Sequence, residues 1–248
     1  MVLNRSLQES KSVYSLLCMV SDKVSEKIIN MLKENDITIH RITSVVIPDK
    51  LRDTNIINGY AHWNQTFEKL SMFDLCDHEK IVFLDADMIV MNNIDELFDR
   101  PHMSAVAAGK FKRGWDDLNS GLIVIHPEAN TSRGILNKLM DIADFQVPLG
   151  DQDLIKMYYG DWKSDKNLHL PETYNCLYGY LDFYINARHI EWNKVNVIHF
   201  IGKVKPWTMR GTERFRHQLL NLLKGKIYAF YAFSKYCRCL KRAMKSNI

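Results

Sequence analysis

The chain contains no hydrophobic run long enough to cross a membrane. A transmembrane helix needs about 18 consecutive apolar residues, and no segment of the 248 residues approaches that length. The N-terminus also lacks the basic and then apolar segments of a secretory leader. The five cysteines are odd in number and show no spacing typical of a disulfide framework, so we expect reduced thiols. These absences predict a cytoplasmic protein.

Acidic residues are almost absent from the end of the chain. From residue 203 onward Glu213 is the only acid, although the net charge of the whole chain is a mild +4. The basic residues of this segment are Lys203, Lys205, Arg210, Arg214, Arg216, Lys224, Lys226, Lys235, Arg238, Lys241, Arg242 and Lys245. The body of the chain is therefore acidic and its end is strongly basic.

The order of apolar patterns predicts an α/β fold with a mostly parallel sheet. Residues 13–20 and 37–42 have the composition of strands, and apolar residues recur at helical spacing between them, up to about residue 34. Such a β-α-β unit requires parallel strands. Further strands are predicted at 103–108, 121–125 and 196–200, and a helix at 151–159. With 46% apolar residues and no internal repeat, the chain can bury a full core.

The most informative stretch is residues 80–90, which reads as a fully buried strand with Asp85 and Asp87 at its C-terminal end. Ligands bind at that end of strands in open α/β sheets. Two neighbouring carboxylates beside an apolar strand are costly unless a cation neutralises them, and oxygen ligands suit Mg²⁺ or Mn²⁺ shared with a phosphate. The same spacing also fits two aspartates that cap an exposed turn.

Three other segments could converge on this aspartate pair. Residues 119–121 (Asn-Ser-Gly) suit hydrogen bonds to sugar hydroxyls, although taken alone they read more readily as a turn. Residues 150–153 (Gly-Asp-Gln-Asp) place acids at a helix N-terminus, where capping alone would also explain them. In residues 199–207, His199 could complete a divalent site, while a glycine and lysines suit a phosphate. A structural role for His199 is equally open.

Together these segments resemble glycosyltransferase family 8, the glycogenin-like and bacterial lipopolysaccharide-type nucleotide-sugar transferases. The resemblance runs from about residue 2 to residue 207. The motifs that carry it are Phe83-Leu84-Asp85-Ala86-Asp87, Ile94-Asp95-Glu96-Leu97-Phe98-Asp99, Asn119-Ser120-Gly121, Gly150-Asp151-Gln152 and His199-Phe200-Ile201-Gly202-Lys203-Val204-Lys205-Pro206-Trp207. The resemblance implies a GT-A fold and retaining transfer of a hexose from a UDP-sugar, with Mn²⁺, or alternatively Mg²⁺, on the diphosphate.

The resemblance also implies roles for individual residues. The metal ligands would be Asp85, Asp87 and His199. The donor contacts would be Lys69, Asp85, Ala86, Asn119, Ser120, Gly202 and Lys205, with Gly202 and Lys205 on the diphosphate. Asp151 and Gln152 would lie near the anomeric carbon, where they would orient and stabilise the donor rather than attack it.

Two departures from the family pattern affect these expectations. Pro148 stands where glycogenin-like members have a sugar-binding aspartate, which weakens a glucose-specific reading. The first strand of the family, which cradles uridine, has no counterpart ahead of residue 2. We therefore expect an inner strand to be lacking, either because the sequence begins at an internal methionine or because the protein binds its donor differently.

Residues 208–248 are predicted to form a basic amphipathic helical tail, separate from a glycosyltransferase domain at 1–207. Apolar and aromatic residues alternate there with Lys and Arg, which suits a helix at an anionic membrane interface. The tail could instead pack on the domain. Nucleic-acid binding is not expected, because no recognised motif accompanies the charge.

Three functions from different classes remain open at this stage. The first is a metal-dependent hexosyltransferase that acts on a glycan or a lipid-linked acceptor. The second is a catalytically silent relative that binds partners or membrane, favoured by the lacking strand. The third is a phosphohydrolase with Asp85 as nucleophile; that chemistry expects Thr or Val where Ile89 stands. The donor hexose, the acceptor and the oligomeric state stay undetermined.

Overall fold

The computed structural model describes residues 1–107, 109, 116–202 and 204–245. Over these residues the chain forms α-helices, β-strands and short 3-10 segments. The helices are α1 (Val2–Glu9), α2 (Glu26–Lys33), α3 (Asp49–Ile57), α4 (Thr131–Leu136), α5 (Asp151–Tyr158), α6 (Leu181–Asn186), α7 (Gly211–Leu223) and α8 (Ile227–Lys245). The strands are β1 (Leu17–Ser21), β2 (Thr38–Ile42), β3 (Ile81–Leu84), β4 (Met88–Val90), β5 (Ala105–Ala107), β6 (Leu118–Ile125), β7 (Cys176–Leu177) and β8 (Val197–His199). The longest 3-10 segment is Ala61–Asp74.

The N-terminal β-α-β unit is confirmed. Strands β1 and β2 pair in parallel, from Leu17 opposite Thr38 to Ser21 opposite Ile42, and α2 connects them. The first strand begins four residues later than predicted. The residues before it contact the 3-10 segment Asp95–Asp99 instead of a strand. The Val13 N–H donates to Asp95 (3.0 Å), and the Tyr14 ring stacks on Phe98.

The remaining strands form two three-stranded sheets, with the orders β3-β6-β5 and β4-β8-β7. Strands β3 and β5 both pair antiparallel with β6, and β4 pairs antiparallel with β8. The β1–β2 and β7–β8 pairings are parallel. The α/β prediction is confirmed, but among the described pairings parallel ones are the minority, so the sheet is mixed rather than mostly parallel. The difference arises because β6 and β8 pair with β3 and β4 from much earlier in the chain, and such distant pairings could not be ordered from local patterns.

The chain crosses from one three-stranded sheet to the other at residues 85–87. Strand β3 belongs to the first sheet and β4 to the second, and the Met88 N–H donates to the Asp85 carbonyl (3.1 Å) to close the turn between them. The Asp85 N–H donates to the Gly121 carbonyl (2.8 Å) in β6, and the Asp87 carbonyl accepts from the Phe200 N–H (2.9 Å) just after β8. Both aspartates are therefore anchored by their backbones at the junction of the two sheets.

Strand β3 is half-buried along its whole length, which corrects the prediction of a fully buried strand. It borders a cavity of about 1120 Å³ that separates it from β1. The two strands do not pair with each other; β1 pairs with β2, and β3 pairs with β6. The expected lack of an inner strand stays a prediction.

The C-terminal helices differ in how they contact the rest of the chain. Helix α8 is part of the core, because Phe233 and Tyr236 are buried in a cluster that includes Tyr178 and Phe200. Helix α7 instead exposes apolar side chains along much of its length, among them Leu223. In the described part of the chain, no helix has the length and apolar character that crossing a bilayer requires. The domain boundary after residue 207 stays a prediction.

Candidate active site

His199 ends strand β8 and meets the aspartate pair from the neighbouring strand. It lies opposite Met88 in the antiparallel β4–β8 pairing, and Met88 is the residue directly after Asp87. Its Nε2 atom is 3.0 Å from Asp87 Oδ1 and 3.7 Å from Asp85 Oδ2. One ligand atom from each of the three side chains lies within 4.8 Å of the others. The sheet topology thus brings together the three residues that the sequence singled out as metal ligands.

The remaining oxygen of each carboxylate is paired with a lysine. Lys69 Nζ is 3.2 Å from Asp85 Oδ1, and Lys205 Nζ is 2.6 Å from Asp87 Oδ2. Burial opposes the charged form of Asp87, but the hydrogen bonds from His199 and Lys205 outweigh it and lower the pKa of Asp87 to about 2. Each aspartate therefore presents one carboxylate oxygen to the three-residue cluster and the other to a lysine ammonium.

A buried asparagine that the sequence analysis did not identify orients His199. Asn175 is 2% exposed, and its Oδ1 lies 3.0 Å from His199 Nδ1. The Gly121 N–H donates to Asn119 Oδ1 (3.0 Å), which also accepts from Asn175 Nδ2 (2.7 Å). These hydrogen bonds fix the orientation of the Asn175 amide, so its oxygen faces the imidazole and accepts a hydrogen bond from Nδ1. The other ring nitrogen, Nε2, is thereby the one directed at the carboxylates.

Gly121 lies directly against the cluster, where a larger residue would not fit. A Cβ atom at this position would lie 2.6 Å from His199 Cε1 and 2.8 Å from Met88 Cε. Real Cβ contacts are not this short, and both neighbours are buried. The glycine is therefore required for the approach of β8 to β6.

Beside the cluster, Lys69 connects two carboxylates. Its ammonium is 2.8 Å from Asp151 Oδ2, 3.2 Å from Asp85 Oδ1 and 2.9 Å from the Ser120 hydroxyl. Burial would lower the pKa of Lys69, but Asp151 and Asp85 outweigh it and raise that pKa. The Ser120 hydroxyl donates to Asp151 (2.7 Å), which is 5% exposed. The predicted residues Lys69, Ser120 and Asp151 thus form one ionic network.

The structure decides two alternatives that the sequence left open. Asn119, Ser120 and Gly121 lie within strand β6, so the turn interpretation is wrong. At the start of α5, the Asp153 carboxylate accepts from the Gly150 N–H (2.9 Å) and caps the helix, whereas Asp151 points to Lys69. Capping alone therefore does not explain the Asp-Gln pair.

The other predicted residues occupy the border of the same region. The Gln152 side chain accepts a bond from the Ser120 N–H (3.1 Å), so it lies beside the Lys69 network. Ala86 is exposed at the turn between the two aspartates. Gly202 has a φ of +80°, and the turn it makes lets Lys205 return to Asp87. Lys203 and residues 110–115 lie outside the described residues.

Comparison with known proteins identifies the family. Residues 1–211 match Glycosyl transferase family 8. The chain is 32% identical to glycogenin-1 of Caenorhabditis elegans and 30% identical to human glycogenin-1, over 84% of its own length in both cases. It is 27% identical, over 83% of its length, to inositol phosphorylceramide glucuronosyltransferase 1 of Arabidopsis thaliana. The matches cover 47%, 57% and 39% of these three proteins, so the chain spans about half the length of its relatives.

A solved structure shows the same fold. The galactosyltransferase LgtC, in complex with donor and acceptor sugar analogues, superposes with a TM-score of 0.59 at 18% identity, covering 87% of this chain and 88% of that one. The predicted GT-A-like α/β architecture is thereby confirmed. Since the family match covers most of the chain, this protein belongs to glycosyltransferase family 8.

Proposed function

We propose that this chain transfers a hexose from a UDP-sugar to an acceptor hydroxyl, with retention of the anomeric configuration and with Mn²⁺ as its metal. The observation that carries the proposal is the convergence of Asp85, Asp87 and His199 at the junction of the two sheets. Two carboxylate oxygens and an imidazole nitrogen are a donor set that suits Mn²⁺, whereas Mg²⁺ prefers oxygen ligands alone. A divalent ion held there would act as a Lewis acid towards the leaving UDP.

We assign Lys205 to the donor diphosphate. Its ammonium is 2.6 Å from both the Asp87 carboxylate and the Phe200 carbonyl, which keeps it at the edge of the cluster. A lysine supplies a point charge to phosphate oxygens without imposing a fixed geometry. In the proposed reaction Lys205 stabilises the negative charge that develops on UDP as the sugar leaves.

The Lys69 network is the proposed site of the donor hexose. Asp151 Oδ2 is 2.8 Å from the Lys69 ammonium and accepts a hydrogen bond from the Ser120 hydroxyl (2.7 Å). A carboxylate that is already paired with an ammonium is a weak nucleophile, which agrees with a role in orienting the sugar. Gln152 and Asn119 would contribute amide groups to the same subsite, and Ala86 would lie near the ribose.

Replacing Asp87 by alanine tests the metal assignment. We expect the variant to lose Mn²⁺-dependent release of UDP from UDP-hexoses, because one of the three cluster ligands is gone and Lys205 loses its partner. Asp141→Ala is the matched control, since Asp141 pairs only with Lys138 on the surface in the described contacts. Unchanged UDP release by Asp87→Ala would contradict the assignment.

A catalytically silent relative is the second candidate, and the open gap between β1 and β3 is the observation that favours it. The cavity in this gap reaches Asp85 and Ala86, so the cluster has one incomplete side. Calorimetric titration of UDP with and without Mn²⁺, combined with an assay of UDP release from UDP-hexoses, separates the two functions. Metal-dependent UDP binding without release of UDP from any hexose donor would favour the silent relative.

The exposed face of α7 supports a lipid-linked acceptor at a membrane surface. Phe215 and Leu223 are 71% and 74% exposed, and basic residues surround them at Arg214, Arg216 and Lys224. Apolar side chains beside cations suit an anionic bilayer interface, where each cation contributes about 1 kcal/mol. The Arabidopsis relative is named for a lipid acceptor, inositol phosphorylceramide. We propose that α7 attaches the protein peripherally, on the cytoplasmic side.

Point variants test this attachment better than truncation, because removal of α8 would open the core around Phe233. Phe215→Ser combined with Leu223→Ser should abolish sedimentation with vesicles that contain an acidic phospholipid. The matched control carries Val46→Ser and Ile57→Ser, which are 87% and 82% exposed and lie outside α7. Equal sedimentation of the two double variants would show that the exposed face of α7 does not attach the protein to the vesicles.

A further inference from the structure

Three aromatic side chains cluster a short distance ahead of Lys69 in the chain. The Tyr60 ring stacks on Trp63 with 4.3 Å between centroids and 36° between planes, and the His62 ring meets Trp63 edge-on (6.2 Å). Tyr60 is 39% exposed, His62 is exposed and Trp63 is half-buried. Exposed apolar surface that is contiguous often marks a binding site. We name these three residues the aromatic platform.

A buried asparagine holds the aromatic platform in place. Asn55 is fully buried, and its backbone carbonyl accepts from the Tyr60 N–H (2.7 Å). Its Nδ2 atom donates to Asn64 Oδ1 (2.8 Å) and to the Leu149 carbonyl (2.9 Å), and its Oδ1 atom accepts from the Leu149 N–H (2.9 Å). The platform is therefore preorganised, which lowers the entropic cost of binding a ligand.

The aromatic platform is connected to the proposed hexose subsite through the start of α5. A Cβ atom at Gly150 would lie 3.6 Å from Trp63 Cδ2, so the indole ring lies against the Gly150 backbone. The Asp151 N–H donates to the Thr66 hydroxyl (3.3 Å), which in turn donates to the Trp63 carbonyl (3.0 Å). Asp151 is the residue whose carboxylate pairs with Lys69. The platform and the Lys69 network are therefore neighbours on the molecule.

The chemistry of the aromatic platform suits a pyranose ring. The face of an aromatic ring carries partial negative charge and attracts C–H groups, whose hydrogens are partially positive. A pyranose with only equatorial substituents turns axial C–H groups to both of its faces and directs its hydroxyls outward from its edge. Trp63 covers one face of Tyr60, so the opposite face is open to such a ring. The exposed side chains of His62 and Gln65 offer hydrogen bonds to its hydroxyls.

We propose that the aromatic platform binds one pyranose ring of a saccharide acceptor, of gluco or xylo configuration, by stacking it on Tyr60. A lipid chain would use the aromatic faces alone, whereas a sugar also uses the polar groups beside them. The donor hexose has its proposed partners in Asp151, Gln152 and Asn119, so the ring on the platform is assigned to the acceptor. This assignment rests on the proposed transferase function, whereas the binding of a saccharide to the platform does not.

The first measurement needs no donor. In saturation-transfer NMR the aromatic protons of the whole chain are saturated in the presence of maltotetraose, cellotetraose or xylotetraose, and we expect transfer to the C–H protons of at least one probe. Tyr60→Ser should raise the Kd of that saccharide by about fivefold or more. Tyr60→Phe should retain the wild-type Kd, because it keeps the ring. Tyr158→Ser is the matched control, since Tyr158 is 40% exposed at the other end of α5.

Each other outcome overturns the proposal. No transfer to any of the three probes would show that the aromatic platform is not a saccharide site. An unchanged Kd in Tyr60→Ser, or an equal rise in Tyr158→Ser, would place the saccharide elsewhere on the molecule.

A second measurement separates the acceptor from the donor hexose as the source of the ring. It compares the KM for UDP-glucose and UDP-galactose, in release of UDP, between wild type and Tyr60→Ser. An unchanged KM is expected, and a rise as large as that of the saccharide Kd would assign the ring to the donor and overturn the acceptor. Absence of UDP release by the wild type would contradict the transferase, whereas the saccharide titrations would still confirm or overturn the platform.

Discussion

Asn175 determines which nitrogen of His199 faces the aspartates. Hydrogen-bond partners of a metal-binding imidazole fix its tautomer and its orientation, and their loss commonly weakens metal binding by about 10–100-fold. We expect Asn175→Ala to weaken Mn²⁺ binding within that range, measured by calorimetric titration with Mn²⁺ alone.

Asn221→Ala is the matched control for Asn175→Ala. Asn221 is also a buried amide (6% exposed), but it donates to the Tyr178 hydroxyl (3.1 Å), in the part of the core that contacts α7 and α8. Both variants leave a buried partner unsatisfied and should lose comparable stability. If Asn221→Ala weakened Mn²⁺ binding equally, general destabilisation would explain the effect and the positioning role of Asn175 would be wrong.

Gly121 imposes a steric limit on the same imidazole. In Gly121→Ala the new Cβ would meet His199 Cε1 at 2.6 Å, so the ring or the strand must shift. We expect a stability loss of about 1–3 kcal/mol in urea unfolding, together with loss of Mn²⁺ binding. Gly160→Ala is the control, because its Cβ would meet nothing within 4 Å. Retained Mn²⁺ affinity in Gly121→Ala would show that the cluster tolerates the shift.

At the level of elements, local patterns predicted a helix or strand where its own residues determine it. They failed where the element depends on pairing with residues distant in sequence. Helix α5 and strand β8 lie close to their predicted positions because their apolar spacing and boundary residues are local signals. The turn interpretation of residues 119–121 failed because pairing of β6 with β3 and β5 overrides the turn preference of Asn-Ser-Gly. Asn175 carried no signal, since its role arises only when β7 lies beside β8.

The contact between α1 and α8 should depend on pH through Glu9. Burial opposes its charged form, but hydrogen bonds from Arg242 and Arg5 outweigh it and lower the pKa of Glu9 below its ordinary value of 4.5. Such a group stabilises the fold above its ordinary pKa, and the contribution is lost as the pH falls through the folded value. Glu9→Gln should therefore cost less than about 1 kcal/mol in urea unfolding at neutral pH, and progressively less in acid as the pH falls below 4.5.

The control for the pH dependence is Glu34→Gln, at the exposed end of α2. It removes one negative charge, as Glu9→Gln does, and should leave the free energy of unfolding nearly unchanged at neutral pH and in acid. A pH-independent difference between wild type and Glu9→Gln would show that the carboxylate does not stabilise the α1–α8 contact through its charge.

For the molecule as a whole, the cavity between β1 and β3 predicts that the core is unevenly packed. Leu84 in β3 and Leu122 in β6 are directly paired across the sheet, but Leu122 is fully buried and Leu84 is half-buried beside the cavity. Leu122→Ala should cost about 2–5 kcal/mol in urea unfolding. Leu84→Ala should cost less than half as much, since part of its surface is already exposed to the cavity. Equal costs would mean that the cavity beside β3 is closed in solution.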